Sequence, residues 1–539
     1  MDIQMNRNQW GRILPRLIPT LVGALAGFGS PAQAEKPVHG GRILIMQAYE
    51  PSMLSAGFDS AAGIQLVSSK ILEGLLSYDF ELKPHPTLAE SWAVSEDGLR
   101  ITFNLRKNVK WHDGKPFTSK DVAFSAIKVW KELHGRGRLT YRNLASVETP
   151  DDHTAIFVLA NPSPYIVQAL AGMESPILPA HLYEGTDVRR NAVNDAPVGT
   201  GPFKFKSWTR GSNVIVERNL DYWDIGKPYL DEIIFQTIPD DASRAAALEA
   251  GQADLSFSSL VPLSDVKRFE ENPGFTIEQR GYEYLAVQAV SEFNLDRDFI
   301  KDVKVRQAIA HAVDTAFIRD TVWYGFGTPS TGPIHRNVAD FYTADVPAYE
   351  YDIEKANALL DAAGYAKGSD GFRFSLAIAP MPFGDQPPRI AEYLKQTLSD
   401  IGINVSILND DFAGYVKRVY TDRAFDLAIW TSGNGPDPVI GVQRGFLSSN
   451  FIKGLPFSNS THYKNPRVDE LLIGAGSEVD IAKRRALYEE FQKIIMAELP
   501  RIPLTDVTFV TIANSKLKNF TVTAQGVFDS MATAYLSKE

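Results

Sequence analysis

The sequence predicts a protein of mixed α and β structure, either α/β or α+β, that folds as two or three units. Strand-like alternation is visible at residues 101–105, 155–159 and 214–216, where β-branched and aromatic residues predominate. Helix-like segments with apolar residues three or four apart lie between them. The chain of 539 residues is longer than the roughly 250–300 at which a single hydrophobic core stops growing. Strands and helices interleave along the chain. Its length predicts more than one hydrophobic core.

Two helices have clear terminal signals. One is predicted to begin at Thr118, where Thr118 and Asp121 form a capping-box pair. Another opens at Asp352 as N-cap and closes at Gly364, a residue type that tolerates the left-handed conformation. Apolar periodicity predicts further helices at 303–323, 390–401 and 487–494.

The first 34 residues have the order of a Sec-type signal peptide. Three arginines precede an apolar stretch at 17–28, and small residues two apart follow at Ala32 and Ala34. The stretch is shorter than the roughly 20 residues that a membrane-spanning helix needs. We expect cleavage before Glu35 and a soluble, periplasmic mature protein. The alternative is an N-terminal anchor helix that is never cleaved.

Charge and cysteine content exclude several classes of function. The predicted signal peptide contains three arginines and one aspartate, so the formal net charge falls from -10 for the whole chain to -12 for the mature protein. An acidic protein lacks the basic face that nucleic acid requires. The absence of cysteine excludes disulfides, thiolate metal sites and cysteine nucleophiles.

The sequence contains no convincing catalytic or metal-binding motif, and no cofactor site is predicted. The glycine-rich segment 199–202 ends in proline, which lacks the N–H that a phosphate would need, so we interpret it as a turn into a strand. The adjacent acids Asp410 and Asp411 are interpreted as solvated. Among the nine histidines, His112 and His462 are interpreted as hydrogen-bonding residues, not metal ligands.

Several segments resemble the family 5 extracellular solute-binding proteins, which include dipeptide, oligopeptide, nickel and opine receptors. The strongest match is the succession of residues 71–75, 86–92 and 105–117. The resemblance continues in the family's order at residues 197–203, 219–223, 305–309, 351–352 with 359–360, and 500–503. It therefore spans most of the predicted mature chain.

The resemblance implies a two-lobed, periplasmic binding protein-like α/β fold with a hinge, of the large, three-domain peptide-receptor type. The ligand is then expected in the cleft between the lobes, where concave sites form at domain interfaces. The implied domains are a signal peptide at 1–34, a core domain of the first lobe at 35–70, 196–285 and 510–539, an inserted smaller domain at 71–195, and a second lobe at 286–509.

Two loops are predicted to line the cleft. Residues 47–54 follow the opening strand, and the family uses the corresponding loop for its ligand. Residues 430–438 form a polar, glycine-rich loop directly after an apolar strand, which is how a rigid scaffold presents ligand contacts. The alternative for the second loop is a tight surface turn. The candidate ligand contacts in these loops are Tyr49, Glu50, Ser52, Trp430, Asn434 and Asp437.

The second loop departs from the family's peptide receptors, in which an aspartate early in this loop pairs with the ligand's α-ammonium. Here the nearest equivalent is Asn434, with Asp437 a few residues later. A neutral amide cannot supply the charge-assisted bond that selects an ammonium group. Arg389 lies close to the position at which dipeptide receptors have an arginine against the ligand carboxylate, so the resemblance implies that it contacts an anionic group. The alternative is an exposed arginine at a helix start.

We expect this protein to be the monomeric, periplasmic receptor of an ABC importer. It would bind a peptide or peptide-like small solute between its lobes and deliver it to a permease in the inner membrane, without catalysis. Opine or sugar-conjugate receptors share the same motifs. The sequence also leaves open an exported hydrolase, a periplasmic chaperone and a receptor that feeds a sensor.

Overall fold

A computed structural model describes residues 36–538. The predicted signal peptide and its cleavage site lie outside the described residues. Within residues 36–538, no helix combines the length and the apolar character needed to cross a membrane.

Three sheets organise the structure. The seven-stranded sheet has the order Phe275–Glu278, Thr511–Asn514, Leu255–Ser256, Arg42–Gln47, Glu232–Thr237, Asn213–Arg218 and Phe203–Thr209. The six-stranded sheet has the order Gly327–Pro329, Arg501–Val507, Val287–Phe293, Leu427–Gly433, Phe374–Pro380 and Ile403–Ile407. The four-stranded sheet has the order Ala89–Val94, Arg100–Leu105, Thr154–Leu159 and Leu144–Asp151. Two short pairs complete the strands, Leu76–Tyr78 with Pro84–Pro86 and Leu517–Lys518 with Tyr535–Leu536.

Helices surround these sheets. The longest helices are Ala62–Ile71, Asp241–Glu249, Val303–His311, Ile353–Ala362, Gln386–Asp400, Pro466–Ser477 and Ile481–Glu498. The shorter α-helices are Ser119–Phe124, Gly137–Thr140, Ala180–Tyr183, Val266–Glu270, Asp298–Lys301, Thr315–Phe317, Phe412–Val416 and Pro438–Gly441. Turns of π-helix follow at Ser125–Lys131, Ile318–Val322 and Lys417–Asp422.

The seven-stranded and four-stranded sheets build what we call the first lobe, and the six-stranded sheet builds the second lobe. The chain passes between the two larger sheets twice, from Phe275–Glu278 to Val287–Phe293 and from Arg501–Val507 to Thr511–Asn514. The four-stranded sheet is inserted between the first two strands that the chain contributes to the seven-stranded sheet. The domain boundaries expected from the sequence remain a prediction.

Most of the predicted elements are confirmed. The three alternating segments are strands, and Thr118 donates its backbone N–H to Asp121 Oδ2 at 2.8 Å before helix Ser119–Phe124. Asp352 caps its helix, and Gly364 ends it with φ +86°. The continuous helix predicted over 303–323 is wrong. It breaks after His311 because Asp314 accepts the N–H of Phe317 and begins a new helix there.

A buried carboxylate lies at the end of helix Ala62–Ile71. Glu73 accepts hydrogen bonds from Thr200 Oγ1 at 2.9 Å, Tyr222 OH at 2.7 Å and Trp223 Nε1 at 2.9 Å. Burial raises the pKa of Glu73 to about 7, although the three donors lower it. Family-signature residues thus hold a titratable group in the core of the first lobe.

Glu73→Gln is expected to change how stability depends on pH. Between pH 4.5, the ordinary pKa of the group, and about 7 the folded state binds more protons at Glu73 than the unfolded state. The contribution of Glu73 to stability is therefore complete below pH 4.5 and falls by about 3 kcal/mol as the pH rises through 7. Urea unfolding at pH 4.5, 6 and 8 gives the free energy of unfolding of wild type and of Glu73→Gln. The difference between the two proteins should shrink by about 3 kcal/mol from the lowest to the highest of these pH values. Exposed Glu96→Gln is the control, and an unchanged pH slope in Glu73→Gln would contradict the assignment.

Candidate functional site

The first predicted loop reaches the second lobe. Tyr49 is 60% exposed, and its ring stacks on Phe383 of the second lobe with 5.6 Å between centroids. Glu50 accepts a hydrogen bond from Trp208 Nε1 at 3.0 Å, and Ser52 is exposed. Tyr49 is therefore the member of this loop that bridges the two lobes.

In the second predicted loop, Trp430 lies at an interior position. It is on strand Leu427–Gly433, is 3% exposed, and its ring centroid is 5.6 Å from that of Phe457. The guanidinium of Arg501 lies over the same indole at 5.6 Å. The indole Nε1 is buried and has no hydrogen-bond partner in the part of the chain that the structure describes.

Asn434 and Asp437 have partners inside the second lobe, and the ligand contact expected of them from the sequence stays a prediction. Asn434 Oδ1 accepts the backbone N–H of His335 at 2.8 Å. Asp437 is 1% exposed, and its two oxygens accept from Nη1 and Nη2 of Arg484 at 2.7 and 2.8 Å. Asp437 also caps helix Pro438–Gly441. Both side chains thus stabilise the loop itself, because their acceptor atoms are already engaged.

Arg389 lies on the surface of the second lobe. It pairs with Asp385 at 3.2 Å and donates to the hydroxyl of Tyr324 at 3.0 Å. It lines a hollow of about 740 Å³ together with residues such as Phe317 and Tyr393, all of them from the second lobe. The position agrees with the alternative of an exposed arginine at a helix start, and no residue of the first lobe lines this hollow.

A different group of charged and polar side chains lies where the two lobes approach each other. We call it the interlobe cluster, and it consists of Arg136 and Glu174 from the first lobe and Glu292, Tyr415, Tyr420, Trp430, Arg444 and Arg501 from the second lobe. Nearby, helix Pro438–Gly441 inserts Val439 and Ile440 into the hydrophobic core of the first lobe. The cluster therefore lies close to a contact between the two lobes.

Adjacent strands of the six-stranded sheet position one side of the cluster. Val290 is opposite Trp430 and Glu292 is opposite Arg501 in the antiparallel register. Arg501 forms a buried ion pair with Glu292, and Gly445 makes room for it, since a Cβ there would lie 2.8 Å from Arg501 Nη2. Arg501 is thus held next to the backbone of the turn that carries Arg444.

Arg444 is a partly exposed cation of the cluster. Desolvation lowers the pKa of its guanidinium to about 10, and repulsion from Arg136 and Arg501 adds to this, against the attraction of Glu174. The group is still charged at neutral pH. These electrostatic neighbours come from both lobes, so Arg444 faces the interface.

Several donors of the cluster are buried without a partner among residues 36–538. They are the hydroxyls of Tyr415 and Tyr420, Nε1 of Trp430, and Nε of Arg136 and of Arg501. Burial raises the pKa of Tyr415 and of Tyr420, so both hydroxyls keep their protons. Buried polar atoms are normally satisfied by protein, water or ligand. The arrangement is suited to holding a polar solute with acceptor groups.

The sequence predicts Trp430 of this cluster as a ligand contact. Arg501 belongs to the family-like segment 500–503 but was not predicted as a site residue. The other cluster residues were not predicted from the sequence: Arg136, Glu174, Glu292, Tyr415, Tyr420 and Arg444. The one available signal was the charge of Arg444 inside the mainly apolar run 439–447, because charged residues are uncommon in such runs.

Comparison with known proteins identifies the class of molecule. The model of the bacterial extracellular solute-binding proteins, family 5 Middle, matches residues 83–453. A putative ABC transporter peptide-binding protein of Brucella ovis is 32% identical over 473 residues, which cover 83% of this chain and 84% of the relative.

Two solved structures are similar along most of the chain. The oligopeptide-binding protein AppA from Bacillus subtilis, in complex with a nonapeptide, has a TM-score of 0.79 and 27% identity, covering 93% of this chain and 100% of that one. NikZ from Campylobacter jejuni, in complex with Ni(L-His), has a TM-score of 0.78 and 26% identity, covering 89% and 95%. Both agree with the two-lobed fold expected from the sequence.

Proposed function

This chain belongs to the bacterial extracellular solute-binding proteins of family 5, and we propose that it is the solute receptor of an ABC importer. It binds a peptide or peptide-like small solute between its lobes and delivers it to a permease of the inner membrane. It acts in the periplasm as a monomer, without cofactor and without catalysis.

The observation that carries the proposal is the interlobe cluster. Charged residues of both lobes influence one another electrostatically near the lobe contact, and the same cluster contains buried donors without a protein partner among the described residues. Closure of two lobes around a ligand satisfies such donors only when the solute is present, which couples binding to the closed shape. A permease can then distinguish the loaded receptor from the empty one.

The related structures support the class of solute receptors. They do not favour one particular ligand. One holds a nonapeptide and the other Ni(L-His). Among the cluster residues that we assign to the solute, the second lobe contributes neutral donors and a cation. This favours a solute rich in acceptors, such as a peptide backbone.

Tyr415→Phe is expected to weaken solute binding without lowering stability. The hydroxyl has no protein partner among the described residues, so its removal leaves no protein group unsatisfied, whereas a bound solute loses one hydrogen bond. We expect an affinity loss of up to about 10-fold, corresponding to 0.5–1.5 kcal/mol, and an unchanged or higher Tm.

The measurement is titration calorimetry with solutes that copurify from the periplasm, identified by native mass spectrometry, and with a library of short peptides. Tyr183→Phe is the matched control, because its hydroxyl donates to Asn194 Oδ1 at 2.8 Å inside the first lobe. That variant should lose about 1 kcal/mol of stability and keep its affinity. Saturable heat without product formation supports a receptor, whereas turnover of the same library would favour an exported hydrolase.

A further inference from the structure

A compact turn at residues 434–441 is anchored in the second lobe. The backbone folds back on itself there, since a Cβ at Gly441 would lie 2.1 Å from Asn434 O. Asp437 holds the turn through its buried ion pair with Arg484. The turn therefore has a fixed shape and follows the second lobe in any movement of the lobes.

The two apolar side chains of this turn are buried in the other lobe. Val439 and Ile440 are 6% and 5% exposed, and both belong to the hydrophobic core of the first lobe. The backbone of their helix lies beside helices Gly137–Thr140 and Pro164–Ala169. These two helices accompany the four-stranded sheet, and we call this part of the first lobe the insertion. A direct contact therefore joins the insertion to the second lobe, in addition to the two chain crossings.

A second contact joins the same two parts. A Cβ at Gly98, in a turn of the four-stranded sheet, would lie 2.8 Å from Cγ1 of Val479 of the second lobe. Helix Pro466–Ser477 also lies beside helix Pro164–Ala169. Val479 is 51% exposed, so water reaches this side of the interface. The insertion therefore meets the second lobe through a few apolar side chains, at an interface with an edge in solvent.

The contact lacks the polar bonds of a permanent interface. Within residues 36–538, no ion pair joins the insertion to the second lobe, and the buried pair beside the contact, Arg484 with Asp437, stays within one lobe. On helix Pro164–Ala169, the hydroxyl of Tyr165 is buried without a partner in the described chain, which is unfavourable. Separation of the two parts would return water to this hydroxyl. Apolar burial alone therefore holds the contact, which suits reversible docking.

We propose that the insertion is a docking platform for the second lobe, and that Val439 and Ile440 dock on it when the receptor takes up solute and leave it on release. We call this contact the latch. Its role rests on the proposed receptor function and adds regulation to it, because a contact made only in the closed form raises the affinity for solute. Since the latch does not touch the solute, it adds the same free energy of closure for every solute.

Single cysteines test whether the latch opens. The chain contains no cysteine, so an introduced thiol is the only one in the protein. Ile440→Cys reports on the latch. Two variants on helix Pro466–Ser477 are the controls: Ile473→Cys, at a position that is 53% exposed, and Val468→Cys, at a fully buried position. The mature protein is stripped of solute by unfolding and refolding, and its labelling by a water-soluble maleimide is followed by mass spectrometry.

Without solute, Ile440→Cys should be labelled much faster than Val468→Cys, because opening of the latch exposes the thiol without global unfolding. The probe is the tightest-binding member of a library of di- to nonapeptides, selected by titration calorimetry on wild type. At about ten times its Kd it should slow labelling at position 440 about 10-fold and leave Ile473→Cys unchanged. Labelling of Ile440→Cys as slow as that of Val468→Cys without solute would show a permanent contact and overturn the proposal.

Ile440→Ser measures how much the latch contributes to retention. It should weaken the binding of every library peptide by the same factor, about 10- to 100-fold, since a buried isoleucine is lost from the closed form only. The Tm without solute should equal that of wild type. Ile481→Ser, at a position that is 53% exposed, is the control and should change neither quantity. A lower Tm with unchanged affinity, or a loss that differs between peptides, would contradict the latch.

The receptor function and the latch can fail separately. If peptides bind wild type with saturable heat but do not protect position 440, the receptor function stands and the latch is overturned. If no peptide binds and protein purified from the periplasm retains no small molecule, the receptor function fails. The latch then fails with it, because there is no solute to retain.

Discussion

Arg484→Met is expected to lower the free energy of unfolding by about 3–5 kcal/mol, since it leaves a buried carboxylate without its counter-charge. Arg484 and Asp437 are 5% and 1% exposed and form two parallel hydrogen bonds. Arg484 Nε also donates to Ala475 O at 2.7 Å. The pair thus fixes the loop after Trp430 against the helical part of the second lobe.

Solute binding should weaken in the same variant. Asp437 caps helix Pro438–Gly441, and the two apolar residues of that helix pack into the first lobe. A displaced helix therefore disturbs the interface at which Arg444 lies. Affinity and stability should fall together, in contrast to Tyr415→Phe.

Guanidinium chloride unfolding of single and double variants tests this prediction. Asp437→Asn keeps the cap and leaves Arg484 unpaired, and Arg484→Met with Asp437→Asn should recover part of the loss, since no isolated charge remains. Arg467→Met is the control. Its pair with Glu490 is about half exposed and should contribute less than about 1 kcal/mol. Equal losses in Arg467→Met and Arg484→Met would refute the assignment.

Gly199→Ala should prevent stable folding, with an expected loss of more than about 4 kcal/mol. A Cβ at this position would lie 1.7 Å from the carbonyl oxygen and 2.5 Å from the carbonyl carbon of Ile71. Both are backbone atoms at the end of helix Ala62–Ile71, and they cannot move aside as a flexible side chain could. Circular dichroism and thermal unfolding of purified protein measure the effect.

Gly135→Ala is the matched control, because a Cβ there meets no atom within 4 Å. That variant should fold and melt close to wild type. A Gly199→Ala protein with the Tm of wild type would show that the contact between residues 199 and 71 is not required. The same contact explains the glycines of the segment 199–202, because the backbone of this segment passes close to the backbone of Ile71.

His112 illustrates how sequence and structure agree at this site. The sequence indicates a hydrogen-bonding residue, and its Nε2 is 2.9 Å from Gly201 O while its Nδ1 accepts the N–H of Gly199 at 3.2 Å. Burial lowers its pKa to about 4. The histidine is therefore neutral and orders the glycine turn.

The sequence by itself determined the family, the mixed α/β architecture and the boundaries of several elements. These depend on local properties: the period of apolar residues, caps such as Asp352, and turn residues such as Gly364. It also predicted that the loops at 47–54 and 430–438 line the ligand cleft. These loops contain Tyr49 and Trp430, which lie at or near the contact between the two lobes. Such information is contained in residues that are close together in sequence, so it can be recognised without the tertiary structure.

Only the tertiary structure decided which charged side chains are already paired. The sequence predicts that Asp437 meets a ligand, but Arg484, 47 positions away, occupies both of its oxygens. The charge of Arg444 within the mainly apolar run 439–447 was the one sequence signal for this residue, and only the structure shows that it is the cation of the interlobe cluster without an acidic partner within the described chain. The reason is physical: the free energy of a charge depends on burial and on partners within a few ångströms, and these partners come from segments that lie far apart in sequence.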